Sequence, residues 1–210
     1  MKIQNEESKK LRLKDIVTLS IFNVAILIVM VIVKIVITIT ATPAFNYLFY
    51  VGVMAFFCAP LYIVMSNKTA KRGTFFITAL FCGIMMTAFG SAWFLLVMLV
   101  IGVICEIIML GNDSYTQFLK NGIAYTVYWT LYAAGSSIPL LFFKERYLNS
   151  LGDSYTEEGK KILVRYYGSV DMLMLICGIS AVCAAVGFFI GMKFFKKHIK
   201  KRTWYNCAKS

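Results

Sequence analysis

The stretch Gly122–Phe143, GIAYTVYWTLYAAGSSIPLLFF, decides how the rest of the chain is read. Roughly 20 apolar residues at a helical rise cover the hydrocarbon core of a bilayer, so this segment is long enough to cross one. It is not a plain lipid-facing helix. Tyr125, Tyr128, Trp129, Tyr132 and Ser136 recur at steps of three and four and fall on one helical face. Pro139 has no N–H, which leaves the carbonyl of Gly135 without its usual helical partner. At membrane depth a freed carbonyl is tolerated where protein or a wet cavity satisfies it. The segment therefore reads as the wall of a site.

The whole chain agrees with a membrane setting. It is 60% hydrophobic and 15% charged, with a mean hydropathy of +0.73, which places it in the membrane class before any motif is considered. In 210 residues, spans and short connections leave no room for a soluble domain of ordinary size. The formal charge of +12 does not call for nucleic acid, because the basic residues cluster just beyond the ends of apolar runs. Six cysteines form no CxxC pair, so they indicate neither a zinc site nor a disulfide framework. The first apolar run, Ile16–Ile39, is too long for a cleavable signal.

Hydropathy predicts an all-α integral membrane protein with six transmembrane helices in a single domain, residues 1–210. The spans fall near Asp15–Thr40, Tyr47–Met65, Thr74–Phe89, Ala92–Leu110, Gly122–Phe143 and Val170–Met192. Residues 1–14 and 193–210 read as basic cytoplasmic tails, and 144–169 as a long outer loop. Sixteen basic side chains fall to the inner segments: five before span one, three after span two, Lys120, and seven from Lys193 onward. Five fall to the outer loop, and the asymmetry sets both termini inside. Lys34, near the far end of span one, is expected to snorkel to the outer interface. Leu148, Leu151, Ile162 and Leu163 give the outer loop the pattern of one or two short amphipathic helices.

Small residues at helical spacing, Cys177-Ser180-Ala184-Gly187-Gly191 and Ala79-Gly83-Thr87-Ser91, mark faces where helices approach closely, inside the chain or against a partner. Asn23, one turn after Ser20, is a polar side chain expected to bond to a neighbouring helix. Glu106 is the one acid well inside a span; it could reach the headgroups or pair with Lys or Arg of the inner loops, and a structural or coupling role is expected ahead of substrate binding. Asp171 starts span six, where it faces either a ligand or its own helix N-terminus. There is no HExxH, GxSxG or P-loop, and the lone His198 sits in a basic stretch. An enzyme is not expected, nor are a cofactor and a metal.

The chain resembles an S component of the energy-coupling factor (ECF) transporters, and within that class the integral membrane proteins called Trep_Strep. The residues that carry the likeness run from Leu11 to about Lys201: LRLKDIVTLSIFN, KRGTFFITALFCGI, GSAWF, GVICEIIM, NGIAYTVY leading to PLLFFKERYL, and GISAVCAAVGFFIGMKFFKKHIKK. The resemblance implies a subunit that captures a micronutrient from outside and works with a transmembrane T subunit and two ATP-hydrolysing subunits. The nucleotide belongs to those partners. It also implies a pocket in the outer half, framed by later helices and the loops after spans one, three and five. Placed on this sequence, that frame holds Asn46, Trp93, Tyr128, Tyr132, Ser136, Tyr166 and Asp171. Aromatic rings would stack on a flat ligand while Asn46, Ser136 and Asp171 orient it.

Many S components dock on the T subunit through an alanine-x-x-x-alanine pattern in span one. Here the stretch offers Ser20-x-x-x-Val24 and Ile21-x-x-x-Ala25, each a partial match. Two other classes compete with this reading. A stand-alone secondary transporter or channel calls for coupling-ion groups at mid-depth and an internal repeat, neither of which stands out. A ligand-free structural membrane partner calls for no pocket at all.

Overall fold

The computed structural model describes residues 11–111, 115, 117–151 and 156–197, with Ser150 described by its backbone alone. Asp153, Tyr155, His198, Cys207 and the first ten residues of the N-terminal tail lie outside the described residues. The described chain is all helical: α1 (Leu13–Thr40), α2 (Pro43–Thr69), α3 (Thr74–Ala88), α4 (Ala92–Ile108), α5 (Phe118–Phe142), α6 (Lys144–Ser150), α7 (Glu157–Tyr167) and α8 (Val170–Phe195).

The runs of isoleucine and valine in α1 would favour strands in water. In hydrocarbon the backbone must satisfy itself within the segment, and helix wins. Its outward face leaves Ile21, Ile28, Ile32, Val36 and Ile39 bare, whereas Leu19, Asn23, Ile26, Met30, Val33 and Ile37 turn inward. At 28, 27 and 26 residues, α1, α2 and α8 are long and apolar enough to cross a membrane. The helices α3 and α4 are apolar but shorter, at 15 and 17 residues. That gives lengths of about 22 and 26 Å against a hydrocarbon core of about 30 Å. Helix α5, at 25 residues, has the length, but its aromatic and polar face dilutes its apolar character.

Six of these helices form a ring. α1 packs on α2, α2 on α8, α8 on α5, α5 on α4 and α4 on α3, and α3 closes back on α1 through a thinner contact. The small-residue stripes set the close approaches. A Cβ on Gly187 would stand 2.7 Å from Phe56 Cα, and one on Gly52 3.0 Å from Cys183 Sγ, so α2 and α8 meet nearly backbone to backbone. A Cβ on Gly83 would likewise meet Leu95 Cδ1 at 2.8 Å, between α3 and α4. Both stripes therefore serve internal packing.

Several element ends differ from the sequence reading. Pro43 opens α2 as well as closing the preceding loop, because its missing N–H costs nothing at a first helical position. The Thr42 hydroxyl accepts from the Phe45 amide at 3.4 Å to cap that turn. α2 also continues past Met65 to Thr69, where Ala70 ends it at φ +47°. Helix α5 begins a turn before Gly122 and runs unbroken through Pro139. In the outer loop, α7 starts at the Thr156 cap, whose hydroxyl accepts from the Gly159 amide at 3.1 Å, and buries Leu163 and Tyr167. It rests on α2, α5 and α8 and lies across one end of the ring.

Candidate ligand-binding site

The interior of the ring is filled by one face of α5. Tyr125, Tyr128, Trp129 and Tyr132 are all buried, as their spacing required. Successive rings make a column: Phe75 to Tyr62 at 5.0 Å between centroids, Tyr62 to Tyr125 at 4.8 Å, and Tyr128 to Trp129 at 5.7 Å. The column continues from Trp129 to Tyr132 at 5.4 Å and from Tyr132 to Phe94 at 5.0 Å. Edge and tilted contacts of this kind are favoured by the ring quadrupoles.

The two ends of the column differ. At the end carrying Lys68, Lys71, Arg72, Lys120 and Lys193, buried polar side chains pair with one another, Thr69 Oγ1 excepted. Buried Asn121 accepts from the Tyr62 hydroxyl at 2.8 Å and donates to Ser66 Oγ at 3.0 Å and the Tyr115 carbonyl at 3.1 Å. Glu106 does not pair with Lys or Arg as the sequence suggested. Its carboxylate accepts from the amides of Phe75 at 2.9 Å and Phe76 at 3.3 Å and from the Tyr115 hydroxyl at 2.6 Å. Gly73 leaves α3 without a side-chain cap of its own, and the neighbouring helix supplies one, negative charge against a helix N-terminus. Burial, and then the Glu106 carboxylate, push the Tyr115 phenol well above its ordinary range. Lys71 and Asp15 form an ion pair at 2.5 Å that joins α1 to the turn before α3.

Midway along the column lies a closed space of ≈ 20 Å³ lined by Asn23, Tyr128 and Trp129 among others. It is large enough for about one water, which needs roughly 10–15 Å³ on this measure. Asn23 Nδ2 and Trp129 Nε1 are buried there without a protein acceptor, so a water is the natural partner for both. Asn23 thus turns inward as expected, but toward this space.

The far end is open. Beneath α6 and α7 lies a cavity of ≈ 200 Å³ whose walls come from Lys34, Tyr47, Tyr50, Met86, Ser91, Trp93, Phe94, Tyr132, Ser136, Leu140, Tyr147, Leu163 and Tyr167. The Tyr50 side chain interacts with those of Tyr167 and Ser136, which gathers three hydroxyls at one place. The Ser136 hydroxyl donates to the Ala133 carbonyl at 2.6 Å, leaving its lone pairs for another donor. Tyr132 Oη meets only Met86 Sδ, at 3.9 Å, among described protein atoms. The lid is held by aromatic contact: Tyr47 stacks on Tyr166 at 5.4 Å and meets Tyr167 edge-on at 5.5 Å.

Of the residues singled out by sequence, the structure brings Trp93, Tyr132 and Ser136 together in this cavity. Tyr128 lies deeper and lines the water-sized space. Asn46 stands behind the wall: its Oδ1 accepts from Lys34 Nζ at 3.0 Å and its Nδ2 donates to Thr38 at 3.4 Å. Tyr166 stacks on the outside of Tyr47, and its neighbour Tyr167 takes the inward position. Asp171 is exposed on the first turn of α8 and is not part of the wall. Tyr47 and Tyr50 were missed, although with Met54 and Cys58 they repeat at three- and four-residue steps along α2. Lys34 is exposed, and its ammonium reaches the first turn of α2, 3.0 Å from Asn46 Oδ1 and 4.2 Å from the centroid of the Tyr50 ring.

Bare apolar flanks around a helical ring fit a membrane-embedded chain, and the ring holds a lidded aromatic cavity at one end. The sequence matches the family model described as hypothetical bacterial integral membrane protein (Trep_Strep) over residues 13–201, and the chain belongs to that family. No curated protein and no solved structure matches it.

Proposed function

We propose that this protein is the substrate-binding subunit of an ECF-type importer in the bacterial cytoplasmic membrane. In this reading it crosses the bilayer six times with both termini in the cytoplasm, and captures a small molecule in the cavity beneath α6 and α7. A transmembrane T subunit and two ATP-hydrolysing subunits drive release. It performs no chemistry on its ligand. The observation that carries the reading is the cavity: ≈ 200 Å³, walled largely by aromatic rings, bordered by a Tyr132 hydroxyl whose contact is a long one to Met86 Sδ, and covered by a lid that aromatic contacts hold in place. A ligand-free structural partner has no use for such a space. Sixteen basic side chains on the inner segments support the orientation, which puts the cavity on the outside. The short α3 and α4 are accommodated by local thinning or by flanking side chains that reach the interface.

The outward face of α1 is the candidate docking surface. Ile21 and Val24 are exposed there and Ser20 and Ala25 are half-buried, leaving a shallow strip that a partner helix can approach. The Glu106 carboxylate is engaged within the chain, and its part in coupling is to hold the start of α3. Coexpression with T and ATPase subunits tests the reading: the chain copurifies with them and retains a small molecule in detergent. If neither happens, the proposal fails. Ser20→Leu or Ala25→Leu weakens association with the T subunit and leaves ligand retention intact. Normal association in both variants would move the docking surface elsewhere.

A further inference from the structure

The charge on the cavity wall names a ligand chemistry, on the reading of that cavity as the capture site. Among the described residues that line it, Lys34 is the one charged side chain. The partners of its ammonium are the Asn46 amide oxygen at 3.0 Å and the Tyr50 ring face at 4.2 Å. The ion pairs among described residues are Lys71–Asp15 and Lys160–Glu157, so no described carboxylate neutralises Lys34. Lys34 lies six residues before the end of α1, about 9 Å along the helix. The side chain is exposed on the ring's outer surface, so the cation faces lipid or headgroups as well as the cavity, and a neutral amide and a ring leave its charge uncompensated. An anion in the cavity would complete the balance.

The same side chain belongs to a second space. Between α1 and α3, where the ring is thinnest, a groove of ≈ 280 Å³ is lined by Lys34 and Met86, both shared with the cavity, and by Leu27, Met30, Met85 and Phe89 among others. Apart from Lys34 its walls are apolar, and the methionines give it an adaptable surface. Cavity and groove therefore meet at a cation flanked by thioether and aliphatic carbon.

We infer that the ligand is a single-chain anionic amphiphile, with its carboxylate or phosphate at Lys34 and Tyr50 and its apolar chain in the α1–α3 groove past Met86. Charge complementarity fixes the head, and the continuity of the two spaces at Lys34 and Met86 fixes the path of the chain. Among the described residues, neither set of walls carries an acidic side chain that would favour a cation.

The test uses the full chain in phosphatidylcholine nanodiscs, with radiolabelled dodecanoate as the probe and empty discs subtracted. Dodecanoate binds saturably at one per chain, and dodecyltrimethylammonium does not compete. Lys34→Gln weakens binding tenfold or more, whereas Lys34→Arg stays within about threefold, since it keeps the charge. Met85→Trp, which fills the groove, weakens dodecanoate and leaves a short-chain competitor, hexanoate, unchanged. Discs containing lysophosphatidylglycerol, an anionic lipid with one acyl chain, separate two sources of the same chemistry. Undiminished binding assigns a free acid and competition assigns a membrane lipid, and either supports an anion site. Equal competition by the alkylammonium, or Lys34→Gln within twofold of wild type, overturns the inference. Retention of a cationic or chainless molecule by the copurified complex would overturn it while leaving the importer reading in place.

Discussion

The two halves of α5 run through the same bundle and end in opposite conditions. Below Trp129, Asn121 and Tyr125 have every polar group spoken for: Asn121 bonds to Tyr62, Ser66 and Tyr115, and the Tyr125 hydroxyl donates to the Ala55 carbonyl at 2.5 Å. Above Trp129, Tyr132 and Ser136 border empty space, with hydroxyls that make weak or local contacts. In hydrocarbon an unsatisfied polar group is expensive, so along α5 the half whose side chains find partners contributes more to stability than the half whose hydroxyls border the cavity. The paired half holds the frame, and the open half is where the proposed function puts the ligand.

Substitutions can break this division, and the largest effect is expected in the paired half. Asn121→Leu strands the Tyr62 hydroxyl and the Tyr115 carbonyl, a loss of about 3 kcal/mol that appears as a lower unfolding temperature in detergent. Glu106→Gln removes the charge from the start of α3 and costs about 1–2 kcal/mol in the same assay. In both, the fraction that remains folded captures ligand normally; a selective loss of capture would erase the division between frame and site. Tyr132→Phe tests the other half. Stability stays within about 0.5 kcal/mol, because the hydroxyl has only a long contact to sulfur. Ligand affinity falls about tenfold, the worth of one hydrogen bond of about 1.4 kcal/mol. The smallest effect is expected at Asp171→Asn, where retention by equilibrium dialysis stays within twofold because the side chain is exposed away from the cavity. A tenfold loss there would mean that the lid and α8 rearrange around the ligand.

Much of this arrangement was legible in the chain. Apolar runs located the helices, the three- and four-residue repeat of Tyr125, Tyr128, Trp129 and Tyr132 gave the inward face of α5, and the glycine stripes gave the close helix pairs. Depth along a helix follows from residue number at a fixed rise, which is why Tyr132 and Ser136 were placed at the open end. Azimuth does not follow from number alone. Asp171, Asn46 and Tyr166 entered the wall through the frame that the resemblance implies, and none of the three is among the residues that line the cavity. Lys34 shows the same limit: its position allowed a reach to the interface, and only the rotation of α1 against α2 brings its ammonium over Tyr50. Glu106 found backbone amides where basic side chains were expected, because Gly73 left the start of α3 uncapped.

The central claim is that the space under α6 and α7 holds a small molecule. Mass spectrometry of what leaves the purified, heat-denatured protein tests it most directly, with wild type and Ser136→Phe run side by side, the added ring filling the cavity. The account predicts one compound, close to one per chain, released by wild type and absent from the variant. The same compound in equal amount from both proteins, or none from a wild type purified out of cells grown in rich medium, would contradict it.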